Sequence, residues 1–348
     1  MGGAARQEGA KRARRGGAGV TMADVARRAA VSVSTVSLYL RKPSAVAPRT
    51  GRAIAEAVED LGYVTSLVAG GLAAGSSRVV SVIVPSVRNA FFAETVSAIQ
   101  EELKRERLNV LLGHTEYDLD EEEALVRTAL SWKSAAIVLT GLSHAEATLR
   151  LLRASRVPVI EVWELGEPPI DSAVGFDHWA VGRTAAAHLL ERGRRRLLFL
   201  GARLHVDHRA RKRAQGFLET ARAGGAAADL GEHPAAATAE IGALLLARAF
   251  EADPAIDGIA FSNDHMAMGA IFECHRRGIA IPDRLSIVGF GDLDFAAVCH
   301  PSLTTIRPSG DLIGRETARI IIESVRSDGR RPGEVVDTHH ALIRRLST

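Results

Sequence analysis

Several residue types suited to holding a small polar ligand stand just after short apolar runs of this 348-residue sequence. They are Ser86 and Asn89 beside Phe91 and Phe92, His114 and Thr115, Trp163, Arg209 and Arg213, Asn263 and Asp264, and Gly291 with Asp292. Hydroxyl, amide and guanidinium groups can orient a polyhydroxylated or charged molecule, while ring faces cover its apolar edges. Taken singly, each such residue is more often structural or solvated than a ligand contact, and Trp163 and Phe92 could be core. Their joint position after candidate strands argues for a cleft. Bond-making chemistry is not signalled. His205-x-x-His208 and His339-His340 lack the cysteine or carboxylate frame of a metal site, so no metal is expected. No GxGxxG follows the first strand, and neither GxxxxGK(S/T) nor GxSxG occurs, so no cofactor and no catalytic residue is assigned. Cys274 and Cys299 read as ordinary thiols. The acidic run from Asp118 to Glu123 suits the first turn of a helix.

A second group of residues implies a different partner. Thr21 and Asp24 have capping-box spacing, which predicts a helix with Val25, Ala26 and Ala29 on one face. Ser32 can cap a second helix from Val33 to Leu40, with Val36 and Leu40 inward and Val33, Ser34, Ser37 and Leu38 outward. Pro43 and Pro48 bracket a loop, and Arg49–Leu61 reads as a third amphipathic helix ended by Gly62. Three short helices at this spacing predict a small all-α helix-turn-helix domain whose second helix can enter a DNA major groove. Charge points the same way. Residues 1–52 carry eleven Arg or Lys against Glu8 and Asp24, a net +9, which leaves −6 on the remainder. A polyanion is drawn to the front end only.

The elements that must position these residues follow from composition and period. Residues 1–19, rich in Gly, Ala and Arg, are expected to be a disordered basic tail, 20–64 the DNA-binding domain and 65–77 a hinge. From Val79 onward, strand candidates cover 79–84, 109–113, 135–141, 157–163, 197–201, 258–262 and 286–290. Helical stretches separate most of them, such as 92–107, 121–132, 180–192 and 266–277. This alternation predicts an α/β core of two doubly wound parallel-sheet subdomains. The expected division is 78–174 with 305–330 for the first subdomain and 175–304 with 331–348 for the second. No run approaches the roughly 18–20 apolar residues of a membrane span, and the basic start leads into no apolar segment. A cytoplasmic protein with no membrane partner is expected.

The run Thr21-x-x-Asp24-Val25-Ala26-x-x-Ala29-x-Val31-Ser32-x-x-Thr35-Val36-Ser37 resembles the signature of the LacI/GalR family of bacterial repressors. The likeness continues through Glu59-x-Leu61-Gly62-Tyr63, Asn89-x-Phe91-Phe92, Val157-Pro158-Val159, Asn263-Asp264-x-x-Ala267-x-Gly269-Ala270, Ile281-Pro282 and Ile287-Val288-Gly289-Phe290. It spans essentially everything after residue 20. The resemblance implies a homodimer that reads a near-palindromic operator DNA, with a core like that of periplasmic sugar-binding proteins. It implies DNA contacts from Thr21, Val33, Ser34, Thr35, Ser37, Leu38 and Arg41, and from Ser66, Ala69 and Leu72 in the hinge. Leu72 falls where relatives wedge a leucine into the minor groove, and Gly70 and Gly71 each raise the cost of ordering that hinge by roughly 1 kcal/mol. Leu38 stands where relatives often have Arg, and Ala30 where they usually have Gly.

For the effector, the resemblance implies contacts from Ser86, Asn89, Phe92, Thr115, Trp163, Arg209, Arg213, Asn263 and Gly291. Arg213 matches the arginine that holds effector in most relatives. Gly291 stands where sugar and purine sensors often carry Asp, and Arg209 adds a cation at a position usually small or polar. Together these predict a pocket shifted positive, suited to an anionic sugar acid such as gluconate or its phosphate. Ala173-Val174-Gly175-Phe176-Asp177, Leu200-Gly201-Ala202-Arg203-Leu204 and Phe272-Glu273-Cys274 resemble gluconate-utilisation repressors within the family. A transport-type sugar-binding protein would share the core but lack the basic headpiece. An α/β enzyme acting on a sugar acid would need a nucleophile, cofactor loop or metal frame.

Overall fold

The structure is a computed structural model, and it describes residues 20–64, 77–87, 90–327 and 333–348. The chain divides near residue 74 into two units. The first holds α1 (Met22–Arg28), α2 (Val33–Arg41) and α3 (Pro48–Leu61). Local chemistry sets their starts. Asp24 N donates to Thr21 Oγ1 at 3.3 Å and Thr21 N donates to Asp24 Oδ2 at 3.0 Å, satisfying amides that helix geometry leaves free. Ser32 Oγ accepts from Thr35 N at 3.1 Å to open α2, and Pro48 occupies the first turn of α3. Val25, Ala26, Val36, Ile54 and Ala57 bury the shared core, and Arg28 pairs with Asp60 at 2.6 Å to tie α1 to α3.

The turn between α1 and α2 passes through Ala30 at φ 53°, a left-handed conformation that costs a residue bearing Cβ about 1–2 kcal/mol. Ala30→Gly is therefore expected to stabilise the headpiece by roughly 1 kcal/mol, part of the gain being offset by glycine's larger unfolded-state entropy. Thermal unfolding of the full chain checks this. A lowered headpiece transition would contradict it.

The second unit contains β1 (Val79–Val84), α4 (Ala90–Arg105), β2 (Asn109–His114), α5 (Leu119–Ser131), β3 (Ala136–Thr140), α6 (Glu146–Ala154), β4 (Val159–Val162) and β5 (Ser172–Gly175). It continues with α7 (His178–Glu191), β6 (Arg196–Ala202), α8 (His208–Ala223), β7 (Ala227–His233), α9 (Ala239–Ala252), β8 (Gly258–Phe261), α10 (Asp264–Arg277) and β9 (Ser286–Phe290). β10 (Thr304–Pro308), α11 (Gly310–Arg326), β11 (Val335–Asp337) and β12 (His340–Ile343) complete it. Two six-stranded sheets result, ordered β11-β5-β4-β3-β1-β2 and β12-β10-β9-β8-β6-β7. Among the described residues every pairing is parallel except β10 with β12. Helices cover both faces of parallel sheets, so β3, β4, β8 and β9 are buried along their whole length; β3, β8 and β9 read as unbroken apolar or small runs, and β4 is interrupted only by buried Glu161.

Among the described strands the chain changes sheet from β5 to β6, from β10 to β11, and from β11 to β12. The expected division therefore shifts at two places. Residues 305–308, expected in the first subdomain, lie in β10 and pair with β9 in the second sheet. Residues 335–337, expected in the second, form β11 and pair with β5 in the first sheet. α11 does pack on α4: a Cβ added at Gly314 would meet Ala98 Cβ and the Thr95 carbonyl, each at 2.6 Å. Among the described residues no helix is long and apolar enough to cross a membrane.

Candidate functional site

The carboxyl ends of the strands in the second unit frame a cavity of about 170 Å³ lined by Ser86, Phe91, Glu116, Tyr117, Arg203, Arg213 and Asn263, among others. Its floor is electrostatically set by Arg213, which α8 buries to 5 % exposure. Arg213 Nη1 meets His178 Nδ1 at 3.0 Å, Nη2 donates to the Ser262 carbonyl at 3.0 Å, and the guanidinium lies 4.1 Å from the centre of the Phe290 ring. Its Nε is buried without a hydrogen-bond partner. Burial pulls the Arg213 pKa down to about 10, which still leaves a cation at neutral pH. An unpaired N–H on a buried cation costs free energy until an acceptor arrives, and an anion satisfies it best.

The groups beside Arg213 are already committed. Asn263 Oδ1 caps α10 by accepting from Met266 N at 2.9 Å. Asp264 is fully buried and accepts from Thr305 Oγ1 at 2.6 Å and Leu293 N at 2.9 Å. Burial raises its pKa to about 6 despite those donors. Glu116 accepts from Ser86 Oγ at 2.9 Å and lies 3.5 Å from Arg203, while Asp207 caps α8 by accepting from Ala210 N.

The cleft expected from sequence is thus present, with changes in its membership. Ser86, Arg213 and Asn263 line the cavity. Phe92 and Trp163 do not: they are 3 % and 2 % exposed and pack against each other in the core at 5.1 Å between ring centres. Successive residues of α4 point about 100° apart, so only one of the adjacent phenylalanines can face the cavity, and that is Phe91. Arg209 and Thr115 line a neighbouring cavity beyond Tyr117, together with Glu122 and Glu164. There Arg209 donates to the Thr140 carbonyl at 3.2 Å. The expected second cation therefore does not join Arg213, and the Arg213 cavity holds Arg203 and Arg213 against Glu116 and Asp207. Gly291, at φ 128°, stands behind the wall: an added Cβ would lie 3.6 Å from both Phe91 Cδ1 and Asp264 Oδ2. Asn89 lies outside the described residues. Glu116 and Arg203 were missed as cavity groups, although they follow β2 and β6 and the rule of strand ends would have found them, and His178 was missed as the buried partner of Arg213.

In the first unit, Val33, Ser34 and Leu38 are exposed on α2, Val33 at 46 % and Leu38 at 39 %. Arg41 Nε donates to the Ser37 carbonyl at 3.2 Å. Thr21 and Thr35 are turned to their own helix ends, with Thr21 Oγ1 donating to Asp24 Oδ2 at 2.6 Å and Thr35 Oγ1 2.7 Å from Ser32 Oγ. Ser66, Ala69 and Leu72 lie outside the described residues.

A solvent-facing second helix in a basic three-helix unit, carried on the same chain as a two-sheet ligand cleft, defines a ligand-responsive transcription regulator. Residues 21–66 match the model for bacterial regulatory proteins of the lacI family, and residues 186–348 match a periplasmic binding protein-like domain. The chain belongs to the lacI family of transcriptional regulators. It is 35 % identical over 331 residues to the HTH-type transcriptional regulator GntR of Pseudomonas aeruginosa, covering 94 % of this chain and 95 % of that one. A LacI-family transcriptional regulator from Silicibacter pomeroyi superposes with a TM-score of 0.88 at 30 % identity, over 94 % of this chain and 99 % of that one. The transcription regulator GntR from Chromobacterium violaceum gives 0.70 at 33 % identity, over 77 % and 98 %.

Proposed function

We propose that this regulator works in the cytoplasm as a homodimeric repressor of a near-palindromic operator and is released by an anionic sugar acid, gluconate or a phosphorylated relative. The observation that carries the ligand class is Arg213, a buried cation whose side chain lines the cavity. The cavity's carboxylates are engaged by Ser86, Arg203 and the Ala210 amide, so Arg213 is the group that gains most from an incoming carboxylate or phosphate. The resemblance to gluconate-utilisation repressors supports the same class. On the DNA side, exposed Val33 and Leu38 suit apolar contact with thymine methyl groups in the major groove. No metal or cofactor enters this reading, and no residue is given a catalytic role.

Gly291 supplies a prediction. Gly291→Asp places a second carboxylate beside buried Asp264, where it repels an anionic ligand. Gluconate affinity is expected to fall at least about tenfold for Asp relative to Gly291→Ala, the alanine variant carrying the backbone strain of φ 128° without the charge. Equal affinities for the two variants would contradict the electrostatic account. The function as a whole is tested by calorimetric titration of gluconate, 6-phosphogluconate and neutral sugars against the full chain. Binding of the acids and not of glucose is expected. Preference for glucose, or turnover of a sugar acid by the pure protein, would overturn the reading.

A further inference from the structure

Arg213 ends a buried series of hydrogen bonds that reaches two of the places where the backbone passes between the sheets. Its Nη1 lies 3.0 Å from His178 Nδ1, and His178 Nε2 lies 2.7 Å from the Trp163 carbonyl oxygen. The tautomer follows from the partners. A guanidinium offers only donors, so Nδ1 must be bare; a carbonyl offers only an acceptor, so Nε2 must carry the hydrogen. A neutral imidazole with its hydrogen on Nε2 meets both demands, and imidazolium cannot. Burial, with the positive charges of Arg213 and Arg209 adding to it, holds the His178 pKa well below its ordinary value.

The series continues through the side chain of Trp163. Its Nε1 donates to Thr95 Oγ1 at 3.2 Å, and the Thr95 hydroxyl donates to the Gly310 carbonyl at 2.9 Å. His178 opens α7 directly after the passage from β5, and Gly310 opens α11 directly after β10. Arg213, His178, Trp163 and Thr95 are all 5 % exposed or less. Backbone packing fixes the first link independently. A Cβ on Gly182 of α7 would come within 1.9 Å of the Arg213 carbonyl, and one on Gly216 of α8 within 2.1 Å of the Trp179 carbonyl. Two reciprocal glycine contacts therefore lock α7 against α8, and with them His178 against Arg213.

We propose that His178 is a positioning residue that presents Arg213 to the ligand and links it, through Trp163 and Thr95, to two of the passages between the sheets. Ligand on Arg213 and the relative setting of the sheets are then two readings of one hydrogen-bonded unit. The proposal rests on Arg213 as the ligand-holding group, and its test separates the two ideas.

The full ligand-free chain with ¹⁵N-labelled histidine, compared with His178→Phe to assign the resonance, reports the tautomer directly. The neutral form with hydrogen on Nε2 is expected at neutral pH. Imidazolium, or hydrogen on Nδ1, overturns the proposal whatever ligand binds. Gluconate titrations then read the positioning. Asparagine puts an amide oxygen close to where Nδ1 stands, so His178→Phe is expected to weaken gluconate about tenfold or more while His178→Asn recovers most of the loss. Equal loss in both overturns the positioning role. Thr95→Val, remote from Arg213, is expected to lower the ratio of operator affinities without and with gluconate about fivefold or more, read on a DNA duplex selected by the wild-type chain. An unaltered ratio overturns the link to the passages. If gluconate fails to bind the wild type, the ligand reading falls and the tautomer result still decides the hydrogen-bonded unit.

Discussion

Arg213→Met is expected to weaken gluconate binding by about a hundredfold or more, because truncating one partner of a buried charged contact typically costs 2–5 kcal/mol. Methionine keeps the apolar stem of arginine, so the backbone contact of α7 with α8 is retained while the cation, all its N–H groups and its contact with the Phe290 ring are lost. His178 Nδ1 and the Ser262 carbonyl then lose their donor, and each buried unpaired acceptor destabilises the fold by roughly 1–3 kcal/mol. Lysine is not expected to rescue. One ammonium cannot address His178, Ser262 and a ligand in the three directions that the planar guanidinium spans. Calorimetry for gluconate, together with urea unfolding, separates lost binding from lost fold. Affinity for gluconate within about threefold of wild type in a folded Arg213→Met protein would remove Arg213 from the ligand site.

The second large effect concerns stability. His144 follows β3 and is enclosed by Glu122 of α5, 2.7 Å from Nδ1, and Glu161 of β4, 3.3 Å from Nε2. The three side chains are 0 %, 9 % and 2 % exposed. Burial alone would depress the imidazole, but the hydrogen bond to Glu122 and the charges of Glu122 and Glu161 outweigh it and raise the pKa to about 9. A histidine whose pKa is higher folded than unfolded contributes stability that is fully present below its unfolded pKa of about 6.5 and is lost as pH rises through the folded value. The shift from 6.5 to about 9 corresponds to an order of 3 kcal/mol. Urea unfolding is therefore expected to show stability falling between pH 6.5 and 9.5. His144→Leu leaves two buried carboxylates without their cation and is expected to cost about 3–5 kcal/mol at pH 7. A flat pH profile in the wild type, or a His144→Leu protein of unchanged stability, would contradict the buried cation.

How much of this was legible depends on the range of the interactions involved. The capping box at Thr21 and Asp24 and the cap at Ser32 act over three residues, so spacing alone located α1 and α2. β1, β3 and β9 are buried almost throughout, which makes them short, largely apolar runs rich in Val and Ile. β5, β7 and β10 escaped for the converse reason. β5 is four small residues, β7 is an edge strand carrying Asp229, Gly231 and Glu232, and β10 ends in Arg307 and Pro308; each is held by its neighbour strand more than by its own composition. The strand-end rule picked out Ser86, Arg213 and Asn263, which line one cavity. It could not tell Phe91 from Phe92, because that choice depends on the rotation of α4 over the sheet. Nor could it separate Arg209 from Arg213, whose cavities are divided by Tyr117 on a distant loop. His178 was illegible altogether, since its partners are a backbone carbonyl and a side chain brought together only by the packing of α7 on α8.

The central claim is that ligand at Arg213 controls DNA held by the headpiece. A fluorescence anisotropy titration of a near-palindromic duplex, selected by the protein itself, measures this directly with and without gluconate. Tight binding that weakens steeply with salt, as the net +9 of residues 1–52 implies, and that gluconate weakens further, is the predicted result. Binding to that duplex no tighter than to unrelated DNA, or an affinity that no sugar acid alters, would contradict the account.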